Sequence, residues 1–203
     1  MYERQIKIYD DNVGSVAYVQ HMGSDITVVN SARVSFGVEK SSLDGRDKRL
    51  INYLIKHKHT STLEHNAVTF KFVVPLFVRS QHHRHRTWSY NEISRRYTDK
   101  DLRFYEPKEF RTQHESNRQA SNAEELVNPN ISKSSTNSLY PAAQLLASDA
   151  VHTHHTQSLK LFNNLIDAGV CREQARGVLP QNLYTEYYGT VNPVSYTHLR
   201  AHE

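Results

Sequence analysis

Val68-Thr69-Phe70-Lys71-Phe72-Val73-Val74-Pro75 decides how the rest of the chain is read. Val68, Phe70, Phe72 and Val74 recur at every second position, the period of a strand with one strongly apolar face. Pro75 then fixes a backbone angle suited to a first helical turn. A short helix is expected from Leu76 to about Arg86, with Phe77, Ser80 and Gln81 turned inward. Arg84 and Arg86 stand two apart on it, so their guanidinium groups diverge and can serve two different ligands. Beyond Thr87 the mixture of Ser, Tyr and Asn is expected to be loop.

The segment Arg84-His85-Arg86-Thr87-Trp88-Ser89-Tyr90-Asn91-Glu92-Ile93-Ser94-Arg95-Arg96-Tyr97 carries four arginines, a histidine, a carboxylate, two serines and an amide. That is more charge than a core-filling segment holds. It points to a ligand with several negative charges, because arginine presents a planar fork of donors that matches phosphate oxygens two at a time. The plainer alternative is a solvated face whose exposed ion pairs contribute little.

Spacing favours the ligand. The pattern R-H-R-x-x-S-x-N-E-x-S-x-R-Y, filled at every specified position, resembles the signature of the flavin-dependent thymidylate synthases, which methylate dUMP reductively. Ala32-Arg33-Val34-Ser35-Phe36 is similar to a first block of that family, and Lys56 to His65 to a second. Glu173 to Pro180, with Asn182-Leu183-Tyr184-Thr185, is similar to a later one. The likeness spans residues 1–192 and leaves only the polar middle unmatched.

The resemblance implies a homotetramer with sites at subunit boundaries, FAD bound between subunits, NADPH as reductant and methylene-tetrahydrofolate as carbon donor. Reduced flavin supplies the hydride, which protein side chains cannot. In that scheme Ser61, Arg84, His85, Arg86, Glu92 and Asn192 match flavin-binding positions. Gln81, Arg84, Glu92, Ser94, Arg96 and Arg176 match positions that hold dUMP, with Ser94, Arg96 and Arg176 near its phosphate. His59 matches a histidine in the active-site cavity. Ser94 is read as a ligand group, since no His/Asp pair is arranged to activate it. Neither a G-x-G-x-x-G nor a phosphate-binding P-loop motif occurs.

At 203 residues, 37% apolar and 23% charged, the chain is expected to be one α+β domain, an N-terminal sheet with packed helices. No apolar run approaches the roughly 20 residues that span a bilayer, and one cysteine excludes an internal disulfide. A cytoplasmic protein is expected, with no membrane partner. A net charge of +4 and a pI near 9.1 suit anionic ligands of any size. Of thirteen histidines, six cluster at His82, His83, His85 and at His152, His154, His155. The helical i, i+4 pair with a nearby carboxylate is missing, so they are expected as helix surface and no metal is expected.

Along the chain, one or two strands are expected over residues 5–20 around Asp10-Asp11-Asn12, and a short helix near Ala32. A helix is expected over 46–58, from Leu50, Ile51, Leu54 and Ile55. Residues 112–138 are rich in Ser, Asn, Gln and Thr, and are expected as a mobile loop, a lid over the site. A long helix from Ala142 to Ala168 is stopped by Gly169, and a second runs from Cys171 to Pro180. Cys171 is not read as a nucleophile, because nothing pairs it with a base.

Residues 193–203 are expected to be a non-native tail. Val194 to Glu203 can be read from GTC-TCT-TAT-ACA-CAT-CTC-CGA-GCC-CAC-GAG, which resembles a transposase adaptor, so the natural product is expected to diverge just after Asn192. The resemblance places the uracil-activating arginine beyond that point, in a helix of the type L-R-x-x-x-x-A-Q-x-E-I. Arg200 lies too close to Asn192 to be that residue, and little or no turnover of dUMP is expected from the chain as written. Two rivals stand beside this reading. One is an RNA binder in which Trp88 and Tyr90 stack on bases; the other is a histidine-rich metal hydrolase.

Overall fold

The computed structural model describes residues 4–131 and 145–201, the last four as backbone only. The fold is α+β, in two compact units: residues 1–93 with 185–203, and residues 94–184.

The first unit is built on a five-stranded sheet in the order β1 (Gln5–Lys7), β2 (Ser15–Met22), β3 (Ala67–Pro75), β7 (Tyr184–Val191), β4 (Ser89–Glu92). β1 (Gln5–Lys7) and β2 (Ser15–Met22) form an antiparallel pair around a turn in which Asn12 takes φ +60°. β2 runs antiparallel to β3 (Ala67–Pro75), with Val16 opposite Phe72 and Tyr18 opposite Phe70. β3 is thus the strand its alternation predicts. α1 (Asp25–Arg33) and a 3₁₀ turn (Val34–Phe36) occupy the segment expected as one short helix, and Gly37 at φ +65° closes them. α2 (Gly45–Lys56) begins under an Asp44 cap that accepts the amides of Arg46 and Asp47.

Two elements differ from expectation. α3 (Leu76–His82) stops four residues earlier than predicted. Phe77, Ser80 and Gln81 are exposed on the chain rather than turned inward, because the half-buried positions Leu76, Val78, Arg79 and His82 form the face toward the sheet. Ser89–Glu92, expected as loop, is β4; it pairs antiparallel with β7 (Tyr184–Val191), Tyr90 facing Gly189. The rings of Trp88 and Phe72 lie over Gly189, where an added Cβ would stand 3.0 Å from Phe72 Cε2 and 3.2 Å from Trp88 Cε3. Any side chain here would require one of those rings to give by a few tenths of an ångström.

After β7, Pro193–Ala201 is a helix, α6. Asn192 Oδ1 accepts the Ser195 amide at 2.8 Å, and the helix packs on the Thr60–Leu63 turn. The Arg200 side chain lies outside the described residues.

In the second unit α4 (Ala147–Asp167) buries Ala150, His155, Ser158 and Phe162, and ends at Gly169, φ +87°. α5 (Arg172–Ala175) leads into a 3₁₀ turn, Arg176–Val178. The region expected as a mobile loop holds a hairpin instead, β5 (Phe110–Gln113) with β6 (Ser121–Val127). Polar residues support it, since Thr112 donates to Glu125 at 2.8 Å and Asn122 donates to Thr112 at 3.0 Å. Residues 132–138 of that expectation lie outside the described residues. No described helix is long and apolar enough to cross a membrane.

Candidate active site

In the first unit a cleft of about 660 Å³ opens beside α3. Its floor is apolar, with Val16, Phe72, Phe77 and Tyr187, and its polar lining is Gln81, His82, Arg84 and His85. Three residues expected to bind ligand, Gln81, Arg84 and His85, are thus brought together. Among the described residues the Arg84 and Arg86 guanidinium groups have no hydrogen-bond or ion-pair partner. Two unspent cations on one exposed turn suit an anion.

Glu92 is held differently. Its Oε2 accepts Arg79 Nε at 2.8 Å and Arg79 Nη2 at a shorter distance, and its Oε1 accepts the Thr185 hydroxyl at 2.6 Å. Behind it lies an aromatic cluster. Tyr187 and Phe72 stack at 5.0 Å, His83 stacks on Tyr90 at 4.0 Å, and His82 Nδ1 lies 2.8 Å from the Tyr187 hydroxyl. Burial, then the neighbouring His83 and His85, pushes the His82 pKa down to about 4, and burial raises that of Tyr90 to about 12.

This cluster corrects two expectations. His82 and His83 are half-buried packing groups and His155 is only 3% exposed, so these histidines are not helix surface. Trp88 is 6% exposed with its ring against Gly189, and Tyr90 donates its hydroxyl to the His82 carbonyl, so neither is free to stack on RNA bases. Among the described residues no group of three His, Cys, Asp or Glu side chains is placed to hold a metal ion.

His59 and Ser61 are exposed at the Thr60–Leu63 turn, away from the lining of the cleft. α6, which Asn192 caps, packs on this same turn.

In the second unit Ser94 heads a tight turn. Its Oγ accepts the Arg96 amide at 3.3 Å and its carbonyl accepts those of Tyr97 and Thr98. Arg95 is spent on the carbonyls of Lys100 and Tyr184, whereas Arg96 is exposed with its guanidinium over the Tyr97 ring. Arg172 bonds Asp99, which ties α5 to the segment that follows Ser94 and Arg96; Arg176 follows α5 directly. The three expected phosphate ligands thus sit on segments joined by one ion pair. Cys171 is the exposed residue that precedes α5, without a base beside it among its described partners.

Comparison with known proteins sharpens the reading. Residues 17–202 match the family model described as thymidylate synthase complementing protein. A flavin-dependent thymidylate synthase of Thermus thermophilus is 42% identical over 177 residues, covering 86% of this chain and 58% of that protein. One from Thermotoga neapolitana is 36% identical over 191 residues, covering 93% of this chain and 76% of its own. The chain belongs to the flavin-dependent thymidylate synthase family. The crystal structure of a UMP/dUMP methylase, PolB from Streptomyces cacaoi, bound with 5-Br dUMP, is similar at a TM-score of 0.71 and 30% identity, covering 91% of this chain and 75% of that one. The chain spans just 58% of the length of the Thermus relative.

Within this flavin-dependent thymidylate synthase family member, the donor set fits a flavin nucleotide. An apolar floor suits a ring system, and the unspent Arg84 and Arg86 suit a diphosphate. Sequence reasoning missed Arg79 and Thr185, which hold Glu92. Arg79 is one of three arginines between Leu76 and Arg86, and its partner lies 13 residues away. The mixed Thr/Glu/Tyr pattern of β7 gave no signal for Thr185.

Proposed function

We propose that this chain is the nucleotide-binding part of a cytoplasmic enzyme that reductively methylates dUMP to dTMP. Methylene-tetrahydrofolate is the carbon donor and NADPH the reductant. FAD, when bound, supplies the hydride. The observation that carries the reading is the R-H-R-x-x-S-x-N-E-x-S-x-R-Y segment, whose Arg84 and Arg86 have no partner among the described residues while Glu92 is fixed.

In this reading Ser61, Arg84, His85, Arg86, Glu92 and Asn192 hold the flavin. Gln81, Arg84, Glu92, Ser94, Arg96 and Arg176 hold dUMP, the last three near its phosphate, and His59, which does not line the cleft of its own chain, is assigned to the active-site cavity of the assembly. Ser94 donates its hydroxyl to a phosphate oxygen, and the two arginines offer paired N–H groups to the others. The assembly is a homotetramer with sites at subunit boundaries, so each chain lends residues to more than one site.

Titration with FAD, and then with dUMP, tests the reading apart from turnover. The expected result is quenched, red-shifted flavin fluorescence, perturbed further by dUMP and lost in Arg84→Ala with Arg86→Ala. Binding of RNA with strong salt dependence, and no uptake of flavin, would overturn it.

A further inference from the structure

We infer that Arg79 and Thr185 are positioning residues, which fix the Glu92 carboxylate as an oriented, charge-compensated acceptor beside the nucleotide. The inference rests on the functional reading above and deepens it. Both oxygens of Glu92 are engaged from separate elements. Arg79 on α3 takes Oε2 through Nε at 2.8 Å and also through Nη2, and Thr185 at the start of β7 takes Oε1 at 2.6 Å. Glu92 itself sits on β4, whose side chain is 18% exposed. Three elements thus converge on one half-buried carboxylate.

The chemistry explains why such a clamp is useful. A carboxylate without a cation of its own, carried eight residues after Arg84 and six after Arg86, would compete for their guanidinium groups and repel the anion they await. With Arg79 committed to Glu92, the carboxylate is neutralised by a cation of its own. The forks of Arg84 and Arg86 are left for ligand. Each carboxylate oxygen has two lone pairs, and on Oε1 the Thr185 hydroxyl takes one, so a fixed lone pair remains to accept an N–H or O–H of the nucleotide. Division of labour between Arg79 and the two partnerless arginines is thus built into one helix and the turn after it.

The test uses the whole chain and measures the affinities for FAD and for dUMP, with melting temperature recorded in parallel. Arg79→Met removes the cation but keeps the stem, and is expected to weaken nucleotide binding about ten- to a hundredfold. Arg79→Lys restores charge without the fork and should recover only part. Thr185→Val, close to isosteric, should weaken binding about threefold to tenfold, and Thr185→Ser should restore it. In the cycle with Glu92→Gln, the double variant Arg79→Met/Glu92→Gln should bind no worse than Glu92→Gln alone, because Arg79 acts through Glu92. A purely structural Arg79 would lower the melting temperature and leave both affinities at the wild-type value, which overturns the inference alone. Wild-type chain that takes neither flavin nor dUMP overturns the functional reading and the inference with it.

Discussion

The rings of Phe72 and Tyr187 are stacked at 5.0 Å with 16° between their planes, which joins β3 to β7 at the centre of the first unit. Trp88 and His82 close around the same pair, and the bare backbone of Gly189 lets them do so. Gly189→Ala is therefore expected to destabilise the chain by about 1–3 kcal/mol, the usual cost of overpacking. Urea denaturation followed by tryptophan fluorescence measures it directly, and Gly45→Ala, where the added Cβ meets nothing within 4 Å, serves as the control.

His82 makes the first unit sensitive to acid. Its pKa is held down at about 4 in the fold, against an ordinary 6.5, first by burial and then by His83 and His85. The unfolded chain therefore takes up a proton at this position before the folded one does. Stability is intact above pH 6.5 and is lost as pH falls toward about 4. In His82→Phe this loss is absent. The difference in melting temperature between wild type and His82→Phe should shift in favour of the variant between pH 7 and pH 4.5, and parallel curves would refute the assignment.

Glu106 sets a second window, in the other unit. Its two oxygens meet His152 Nδ1 at 2.9 Å and His155 Nδ1 at 3.0 Å, so α4 is latched to the segment that carries Phe104. Partial burial raises the Glu106 pKa, but the hydrogen bonds from the two histidines outweigh it and the net shift is downward. The Glu106 bond raises that of His152 above 6.5. The carboxylate's contribution is complete above its ordinary 4.5 and is lost in acid; that of His152 is complete below 6.5 and is lost as pH rises through its folded pKa. The destabilisation caused by Glu106→Gln should therefore be greatest between these two values. A melting-temperature difference that stays flat from pH 4 to 9 would show that the latch carries no charge.

Asp47 is the fully buried carboxylate of α2, at 0% exposure, and it gathers Arg33, Lys40 and the Asp44 amide. The Lys40 ammonium foremost, with the Asp44 amide and Arg33, holds its pKa down at about 2. Asp47→Asn keeps the shape and removes the charge. It should lower the melting temperature by several degrees at pH 7, and the gap should close as pH falls from 3.8 toward 2. Limited proteolysis checks the local consequence, since Lys40 also bonds both ends of the Asn30 amide and so holds the loop after Gly37.

Much of this was legible in the residues themselves. The alternation of Val68 to Val74 gave β3, the spacing of Leu50, Ile51, Leu54 and Ile55 gave α2, and Gly169 marked the stop of α4. β7 escaped because it is central yet polar: Glu186 is paired with Lys71, Thr190 with Thr69 and Thr185 with Glu92, all partners remote in sequence. β4 escaped for a related reason, since Ser89-Tyr90-Asn91-Glu92 has no apolar period and is a strand only because β7 lies beside it. The candidate ligand residues come from the resemblance of Arg84 to Tyr97 and of the neighbouring blocks to one family. Which arginine is free and which is committed was not, because Arg79, Arg84, Arg86, Arg95 and Arg96 look alike until their neighbours are known.

The capping bond between Asn192 and Ser195 fixes the sense of one amide. With its oxygen committed to a backbone N–H, rotation of that side chain by half a turn would set hydrogen against hydrogen, so the amide has a single orientation. Its two Nδ2 hydrogens are taken by no described residue. A molecule that docks on the Nδ2 side of Asn192 must therefore bring a lone pair to it, a carbonyl or phosphoryl oxygen or a ring nitrogen, and a hydrogen can be received only at the second lone pair of Oδ1.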